Sequence, residues 1–317
     1  MPPECDPRGV WNTNPMLESA TPVIAVVGPT AAGKTALSLD LAERLGGEIV
    51  NTDAMQVYRG MDIGTAKLPE AERRGVPHHL IDLMEISEVA SVADFQLLAR
   101  AAIAEIQARG KVPILVGGSA LYTRAVLDRF EFPGTDAAVR ARLEAELEAV
   151  GSGVLHERLA SLDPDAAAGI LASNGRRIVR ALEVVELTGQ PFSASLPVLE
   201  YAVPGALQVG VRIDRPTLHA RIALRVDLMW EQGLVEEVRA LMADGLATTR
   251  TASRAIGYPE TMAFIDGRLS EAEAKERIVI ATRRFARRQD QWFLKDPRVT
   301  WLDWDAPDLA DQALRRL

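Results

Sequence analysis

The sequence contains a single cysteine, Cys5, and no long apolar segment. One cysteine excludes an intramolecular disulfide framework and is typical of a reducing compartment. No apolar run reaches the length of a membrane span, and the first residues do not have the pattern of a signal peptide. We therefore expect a cytoplasmic protein without a membrane partner, and we expect a monomer.

Histidine is also scarce, with four residues in a chain of 317. Adjacent His78 and His79 lie in a stretch predicted to be extended, where neighbouring side chains point to opposite faces. We do not expect them to bind a metal, because no Cys or further His is nearby. A Walker-B carboxylate is absent as well, since the strand predicted at 112–116 runs into Gly117 and Gly118. This absence argues against a motor ATPase or GTPase and leaves a kinase-like or transferase site.

The segment after the first predicted strand carries the strongest motif. It matches G-x-x-x-x-G-K-[ST] and lies between an apolar strand at 23–27 and a helical pattern at 36–45. Backbone N–H groups of such a loop close around an anion, the lysine neutralises an outer phosphate, and the final hydroxyl can hold Mg²⁺. We predict a di- or triphosphate site with Mg²⁺ at Thr35. Its residues are Gly28, Pro29, Thr30, Ala31, Ala32, Gly33, Lys34 and Thr35.

Strand and helix patterns alternate along the first half of the chain and again near its end. Strands are predicted at 48–52, 112–116 and 207–213, and helices at 92–109 and 217–232. Helices alone are predicted at 139–150, 153–162, 165–171 and 176–187. We expect an α/β fold, with a P-loop NTPase-like parallel sheet flanked by helices and an inserted all-helical subdomain. The predicted parts are a flexible tail at 1–20, a catalytic core at 21–134 and 205–317, and the insertion at 135–204.

Polar residues follow two further strands of this sheet. Asp53 is predicted at the carboxyl end of its strand, where ligands bind, and could accept a proton or cap the following turn. Ser119 offers a hydroxyl at the same edge, although Gly-Gly-Ser also forms ordinary turns. Arg221 and Arg225 share one helix face and could reach a phosphate or pair with surface acids.

Basic and aromatic residues cluster between residues 277 and 295, although the net charge of the chain is −8. Guanidinium groups beside aromatic rings can hold phosphates and stack bases. The same pattern also fits a solvated helix face with an apolar stripe. Within this cluster we select as candidate RNA contacts Arg284, Arg287 and Arg288.

Seven segments, in this order, resemble the tRNA dimethylallyltransferases, also called tRNA isopentenyltransferases. They are GPTAAGKT, NTDAMQVYRGMDIGTAK, VPHHLID, ILVGGSALY, RRIVRALEV, RAIGYPE and ATRRFARRQDQWF. The resemblance covers roughly residues 22–305. It implies transfer of a dimethylallyl group from dimethylallyl diphosphate to N6 of the adenosine immediately 3′ of the anticodon. The loop then holds the diphosphate leaving group rather than ATP, with Mg²⁺ as cofactor.

The resemblance also implies roles for individual residues. The catalytic set is Lys34, Asp53 as base or orienting group, Ser119 at a position usually occupied by Thr, and Arg225 on the diphosphate. The insertion and the core would clasp the tRNA anticodon stem-loop, although Pro259 stands where a basic residue would be allowed. The implied tRNA contacts are Asp53, Ala54, Met55, Gln56, Ser119, Arg140, Arg176, Arg177, Ile178, Val179, Arg180, Arg254, Ala255, Ile256, Gly257, Tyr258 and Pro259.

Three other functions share part of this pattern. A nucleotide kinase explains the loop and Asp53, but not the arginines of the insertion. An isopentenyltransferase acting on free adenine nucleotides would not need the insertion. An RNA-binding protein with a vestigial loop would not need intact Lys34, Thr35 and Asp53.

Overall fold

The computed structural model describes residues 21–192 and 199–316, so the tail predicted at 1–20 lies outside the described residues. Six parallel strands form one sheet in the order β3-β2-β4-β1-β5-β6. Their bounds are β1 Val23–Val27, β2 Glu48–Asn51, β3 His78–His79, β4 Pro113–Val116, β5 Ala206–Arg212 and β6 Val299–Asp303. The predicted parallel α/β sheet is confirmed; β3 coincides with the stretch predicted to be extended at His78 and His79, whereas β6 was not predicted.

Helices flank the sheet and fill the segments between its strands. The helices of the sheet-bearing part are α1 Lys34–Leu45, α2 Val92–Ala108, α3 Ala120–Leu127, α7 Arg215–Glu231, α8 Leu234–Ala243, α9 Tyr258–Ile265, α10 Glu271–Phe293 and α11 Leu309–Leu314. Local chemistry sets several of their ends. The Ser91 side chain accepts the Asp94 N–H at the start of α2, and Ser270 with Glu273 forms a capping box at the start of α10.

The chain divides into two compact units. One contains the sheet and is formed by the described residues up to Leu127 and from Val203 onward. The other is Asp128–Ala202, whose helices are α4 Ala137–Leu162, α5 Pro164–Gly169 and α6 Gly175–Thr188. The predicted all-helical subdomain inserted into an α/β fold is therefore present.

The two helices predicted at 139–150 and 153–162 form one kinked element. Gly151 interrupts α4 with a φ of 82° and a ψ of 164°, a conformation that glycine adopts without a steric penalty. Apolar side chains of α4, α5 and α6, among them Leu143, Leu155 and Leu182, form the core of this unit. In this core, Glu183 is fully buried and forms ion pairs with Arg140 and Arg180.

The centre of the sheet is apolar and buried, which fixes the position of the loops that leave its carboxyl edge. Every residue of β1 is buried, as expected for a central parallel strand covered on both faces. The loops after β1, β2 and β4 leave this same edge, where ligands bind in open parallel sheets. Among residues 21–192 and 199–316, no helix is long and apolar enough to cross a membrane.

Candidate active site

Residues 28–35, the phosphate loop, connect β1 to α1. Gly28 has a φ of 130°, and a Cβ there would lie 2.8 Å from the carbonyl oxygen of Val211, so a side chain is excluded. Gly33, with a φ of 106°, precedes α1 and lets the loop turn into the helix. Lys34 Nζ donates a hydrogen bond to Pro29 O at 2.7 Å, so the lysine folds back over its own loop.

Two cavities of about 320 Å³ each meet beside this loop, and both are lined by Thr30, Asp53 and Arg225. The first, which we call the polar cavity, includes Lys34 and Thr35 in its wall. The second, which we call the apolar cavity, is lined by Ile222, Val226, Met229, Ile278 and Phe285. A ligand with a charged head and an apolar tail could therefore occupy both.

Asp53 follows β2 and is held by its neighbours. Its backbone N–H donates to Asn51 Oδ1 at 2.9 Å, and its carboxylate accepts the Met55 N–H at 2.9 Å. Asp53 therefore caps the following turn, as one interpretation of the sequence had it, and it also lines both cavities, where a proton acceptor would have to lie. Burial raises the pKa of Asp53, while the Met55 N–H and the charge of Lys34 act in the opposite direction. The raised pKa makes the carboxylate a stronger base.

The charge of Lys34 depends on its surroundings as well. Burial lowers the pKa of Lys34 to about 8; the carboxylate of Asp53 opposes this shift and the nearby charge of Arg225 adds to it. An anion bound in the polar cavity would restore the favourable environment of the ammonium group.

Arg221 and Arg225 both reach the phosphate loop. Arg221 Nη1 donates to Ala31 O at 3.3 Å, and Arg225 Nη1 donates to Thr30 Oγ1 at 3.4 Å. The guanidinium of Arg221 also stacks on the Trp304 ring, 3.9 Å from its centroid. Both arginines therefore contact the loop, and no ion pair of either with a surface acid is found among the residues that the structure describes. Burial lowers the pKa of Arg225, and the positive charge of Arg221 lowers it further.

Ser119 lies near Asp53 at the same edge of the sheet. Its Oγ accepts the Ala54 N–H at 3.4 Å, and Ser119, Ala54 and Met55 line the apolar cavity. Gln56 lines the polar cavity, and its Nε2 donates to Thr65 O at 3.1 Å. The structure thus brings Lys34, Thr35, Asp53, Ser119 and Arg225 around one joined pair of cavities.

The predicted RNA contacts of the insertion separate into two groups. Arg176 and Arg177 are exposed, and no ion pair is found for them among the described residues. Ile178 and Val179 are buried in the core of the insertion, so their side chains are not exposed to a partner, and RNA contact of this segment stays a prediction for its exposed residues. Helical spacing places them on the inner face, opposite the two exposed arginines.

Arg140 and Arg180 form their hydrogen bonds and ion pairs within the helical unit Asp128–Ala202. Both pair with buried Glu183, and Arg180 also donates to the carbonyl oxygens of Pro133, at 2.6 Å, and Gly134, at 3.1 Å. Three hydrogen-bonded partners lower the pKa of Glu183, although burial alone would raise it. These arginines hold a buried carboxylate and keep part of their surface exposed.

Residues 254–259 also separate by burial. Arg254, Ala255 and Ile256 line the apolar cavity, and Pro259 is exposed. Tyr258 is fully buried, so its side chain is not exposed to a partner, and RNA contact of this segment stays a prediction for its exposed residues. Its hydroxyl donates to Glu237 Oε1 at 2.7 Å, and burial followed by the charge of Glu237 strongly raises its pKa. Gly257 is buried as well.

The basic cluster lies on α10, which also forms a wall of the apolar cavity. Arg284, Arg287 and Arg288 are exposed, and Phe285 and Arg288 line that cavity. The Arg288 guanidinium lies 5.8 Å from the Phe285 ring centroid. The alternative of a solvated basic face with an apolar stripe describes α10, and RNA contact by its arginines stays a prediction.

Sequence reasoning missed Gln289 and Glu237. Gln289 is buried; its Oε1 accepts the Thr30 N–H at 2.8 Å, and its Nε2 donates to Gly118 O at 2.9 Å. Glu237 accepts the N–H groups of residues 62, 63 and 64 at 3.0, 2.7 and 3.1 Å. No local motif marks either residue, because the backbone groups that they bind lie more than a hundred residues away along the chain.

The oxygen atoms around the polar cavity fit Mg²⁺. Thr35 offers a hydroxyl and Asp53 a carboxylate, and both line that cavity. In the described ranges, no group of three His, Cys, Asp or Glu side chains could hold a metal on its own. This donor set suits a cation that takes one or two protein ligands and completes its shell with water and substrate phosphates, which is how Mg²⁺ is commonly held.

Comparisons with known proteins agree on one family. Residues 56–296 match the family model described as IPP transferase. A Nocardioides protein named tRNA dimethylallyltransferase is 69% identical over 294 residues, covering 93% of this chain and 95% of its own length. A solved tRNA isopentenylpyrophosphate transferase from Bacillus halodurans is 42% identical with a TM-score of 0.67, covering 93% of each chain. A eukaryotic dimethylallyltransferase acting on tRNA has a TM-score of 0.80 at 28% identity, covering 93% of this chain and 77% of its own.

Proposed function

Because the chain belongs to the IPP transferase family, we propose that it is a tRNA dimethylallyltransferase. It transfers a dimethylallyl group from dimethylallyl diphosphate to N6 of the adenosine immediately 3′ of the anticodon. The observation that carries this proposal is the pair of cavities that meet at Asp53. One is lined by the phosphate loop and the other by apolar side chains, which match the two ends of a prenyl diphosphate.

The reaction forms one C–N bond and breaks one C–O bond. The N6 amine attacks C1 of the dimethylallyl group, diphosphate leaves with the electrons of the C–O bond, and the amine loses one proton. Asp53 accepts that proton or orients the amine, because its carboxylate lies where the cavities meet and burial raises its pKa. The Ser119 hydroxyl lies on the same wall and can hydrogen-bond the base.

The phosphate loop stabilises the leaving group. Negative charge develops on the diphosphate as the C–O bond breaks, and preorganised cations in a partly desolvated cavity stabilise it effectively. Lys34 and Arg225 supply those cations, and the loop N–H groups supply hydrogen bonds. Thr35 would hold Mg²⁺, which when bound neutralises further charge on the diphosphate.

The tRNA would be bound mainly through its phosphates. We keep 135–204 as the proposed limits of the insertion. Its exposed arginines are Arg176 and Arg177, and those of α10 are Arg284, Arg287 and Arg288. The target adenosine must leave its stack to reach a site that is partly enclosed, as other base-modifying enzymes require. We propose the anticodon stem-loop as the RNA partner and the cytoplasm, where tRNA is found, as the location.

Donor and acceptor preference test the proposal. Labelled dimethylallyl diphosphate should bind with Mg²⁺ and should not be displaced by an equal concentration of ATP, whereas a nucleotide kinase would prefer ATP. Unmodified tRNA should accept the label, and free AMP should not. Transfer to AMP would favour an enzyme acting on free nucleotides, and binding of tRNA without transfer would favour an RNA-binding protein.

A further inference from the structure

We propose that Gln289 is a positioning residue that sets the phosphate loop relative to the Gly118–Ser119 turn. This inference rests on the proposed function for its effect on the reaction. The Gln289 side chain is buried and bonded at both ends, accepting from Thr30 N at 2.8 Å and donating to Gly118 O at 2.9 Å. It therefore links the binding site of the leaving group to the wall that carries Ser119.

The end of the sheet explains why such a link is needed. Strands β1 and β4 are neighbours, and their pairing reaches only to Val26 and Val116. Beyond those residues the segments that follow β1 and β4 are no longer paired as strands, so their backbone groups lack the partners that a sheet supplies. The amide of Gln289 lies between them and acts as one more rung, since it has a donor and an acceptor as a peptide group does.

Glycine at position 118 follows from the same contact. A Cβ on Gly118 would lie 1.9 Å from Gln289 Nε2, so any side chain there would displace the glutamine. The adjacent Gly117 is confined in the same way, because a Cβ would lie 2.2 Å from Thr52 Oγ1. The loops after β1, β4 and β2 thus lie side by side in that order. Gln289 hydrogen-bonds the first two, and Thr52 packs closely against Gly117 in the second.

Each end of this bridge adjoins a group that is assigned to the reaction. The Thr30 side chain receives the Arg225 guanidinium, and Ser119 directly follows Gly118. Gln289 also lines the polar cavity, but both polar atoms of its side chain are bonded to backbone groups, so its role is to position the loop and the turn. Without the bridge, the distance between diphosphate and acceptor base would vary, and a misplacement of about 1 Å can lower a rate roughly 10²-fold.

Three variants separate positioning from simple packing. Gln289→Met keeps the length of the side chain and removes both hydrogen bonds. Gln96→Met is the matched control, because Gln96 is also buried, donates to Ala125 O at 2.6 Å and lines neither cavity. Gln289→Glu keeps an acceptor for Thr30 but, as a carboxylate, has no hydrogen for Gly118 O.

The rate of a single turnover at saturating dimethylallyl diphosphate and tRNA is measured for each variant, together with thermal unfolding and the affinity for inorganic diphosphate with Mg²⁺. Gln289→Met should lower the saturated rate roughly 10²-fold, and its diphosphate affinity should change less than threefold. Gln96→Met should lose stability without losing rate. The rate of Gln289→Glu relative to wild type should rise as pH falls, because the protonated carboxyl regains a donor for Gly118 O.

A Gln289→Met protein that is less stable but turns over at the wild-type rate would overturn the proposal, as would a pH-independent rate ratio for Gln289→Glu. Failure of the wild-type protein to transfer the dimethylallyl group would instead refute the proposed function. Amide hydrogen exchange tests the hydrogen bond from Thr30 to Gln289 independently of the reaction rate. The Thr30 N–H should be protected in wild type and exposed in Gln289→Met, and equal exchange in both would overturn the bridge.

Discussion

Raising the pH from about 7 to about 9 should weaken the binding of dimethylallyl diphosphate, because Lys34 loses its charge in this interval. Burial lowers the pKa of Lys34 to about 8, Asp53 opposes that shift, and Arg225 adds to it. The protonated lysine is the form that binds the anion. Affinity is therefore fully present below the pKa of Lys34 and falls as pH rises through it.

The size of the effect follows from the pKa. When only the protonated lysine binds, the apparent dissociation constant rises by a factor of 1 + 10^(pH − pKa). With a pKa of about 8 this factor is about 1.1 at pH 7 and about 11 at pH 9, a loss of about tenfold or about 1.4 kcal/mol. An unperturbed lysine would give a factor of only about 1.04 at pH 9.

Isothermal titration of wild type and Lys34→Met measures this loss. The ionisation of the ligand is common to both proteins and cancels in the comparison. Wild type should lose about tenfold more affinity than the variant over this range, and titrations in two buffers should show uptake of about 0.9 proton at pH 9. Equal pH dependence in the two proteins would refute the argument that Lys34 is the titrating group.

Four further changes test other parts of the site and fold. Asp53→Asn should bind tRNA normally and slow single-turnover transfer roughly 10²–10⁴-fold; unchanged chemistry with weaker tRNA binding would make Asp53 a binding residue. Arg225→Met should lower the transfer rate about 10²–10³-fold by removing charge from the leaving group, and a wild-type rate would contradict that role. Glu183→Gln should lower the free energy of unfolding by about 1–3 kcal/mol in denaturant titrations, because the hydrogen bonds of two partly exposed arginines lose their charged partner; a loss below about 0.5 kcal/mol would show that the pairs are dispensable. Replacing Arg284 and Arg287 by Gln should weaken tRNA binding and flatten its log–log salt dependence by about 0.7–0.9 per lost phosphate contact, whereas parallel, coincident lines would make them ordinary surface residues.

The phosphate loop could be predicted from the sequence because its determinants are local. Strand, glycines, lysine and helix follow one another within residues 23–45, and the structure has them in that order. The position of Asp53 beside the loop also followed from the sequence, since the carboxyl ends of parallel strands share one edge. Strand β6 escaped prediction because it is a short edge strand with a partly exposed face, so its apolar alternation is weak.

The supporting contacts could not be read from the sequence, because they join distant segments. Gln289 is separated from Gly118 by 171 positions and from Thr30 by 259, and nothing in a run of arginines marks one glutamine as buried. The burial of Ile178 and Val179 could be predicted, because helical periodicity places their side chains on the apolar face of α6, opposite Arg176 and Arg177.

The central claim is transfer of a dimethylallyl group to one adenosine of tRNA. The most direct measurement incubates the purified protein with dimethylallyl diphosphate, Mg²⁺ and two unmodified tRNAs, one of which has guanosine in place of the adenosine 3′ of the anticodon. Nucleosides are then released and identified by mass. The account predicts N6-dimethylallyladenosine from the first tRNA only, with one diphosphate released per modified base. The absence of this nucleoside, or its formation from both tRNAs, would contradict the account.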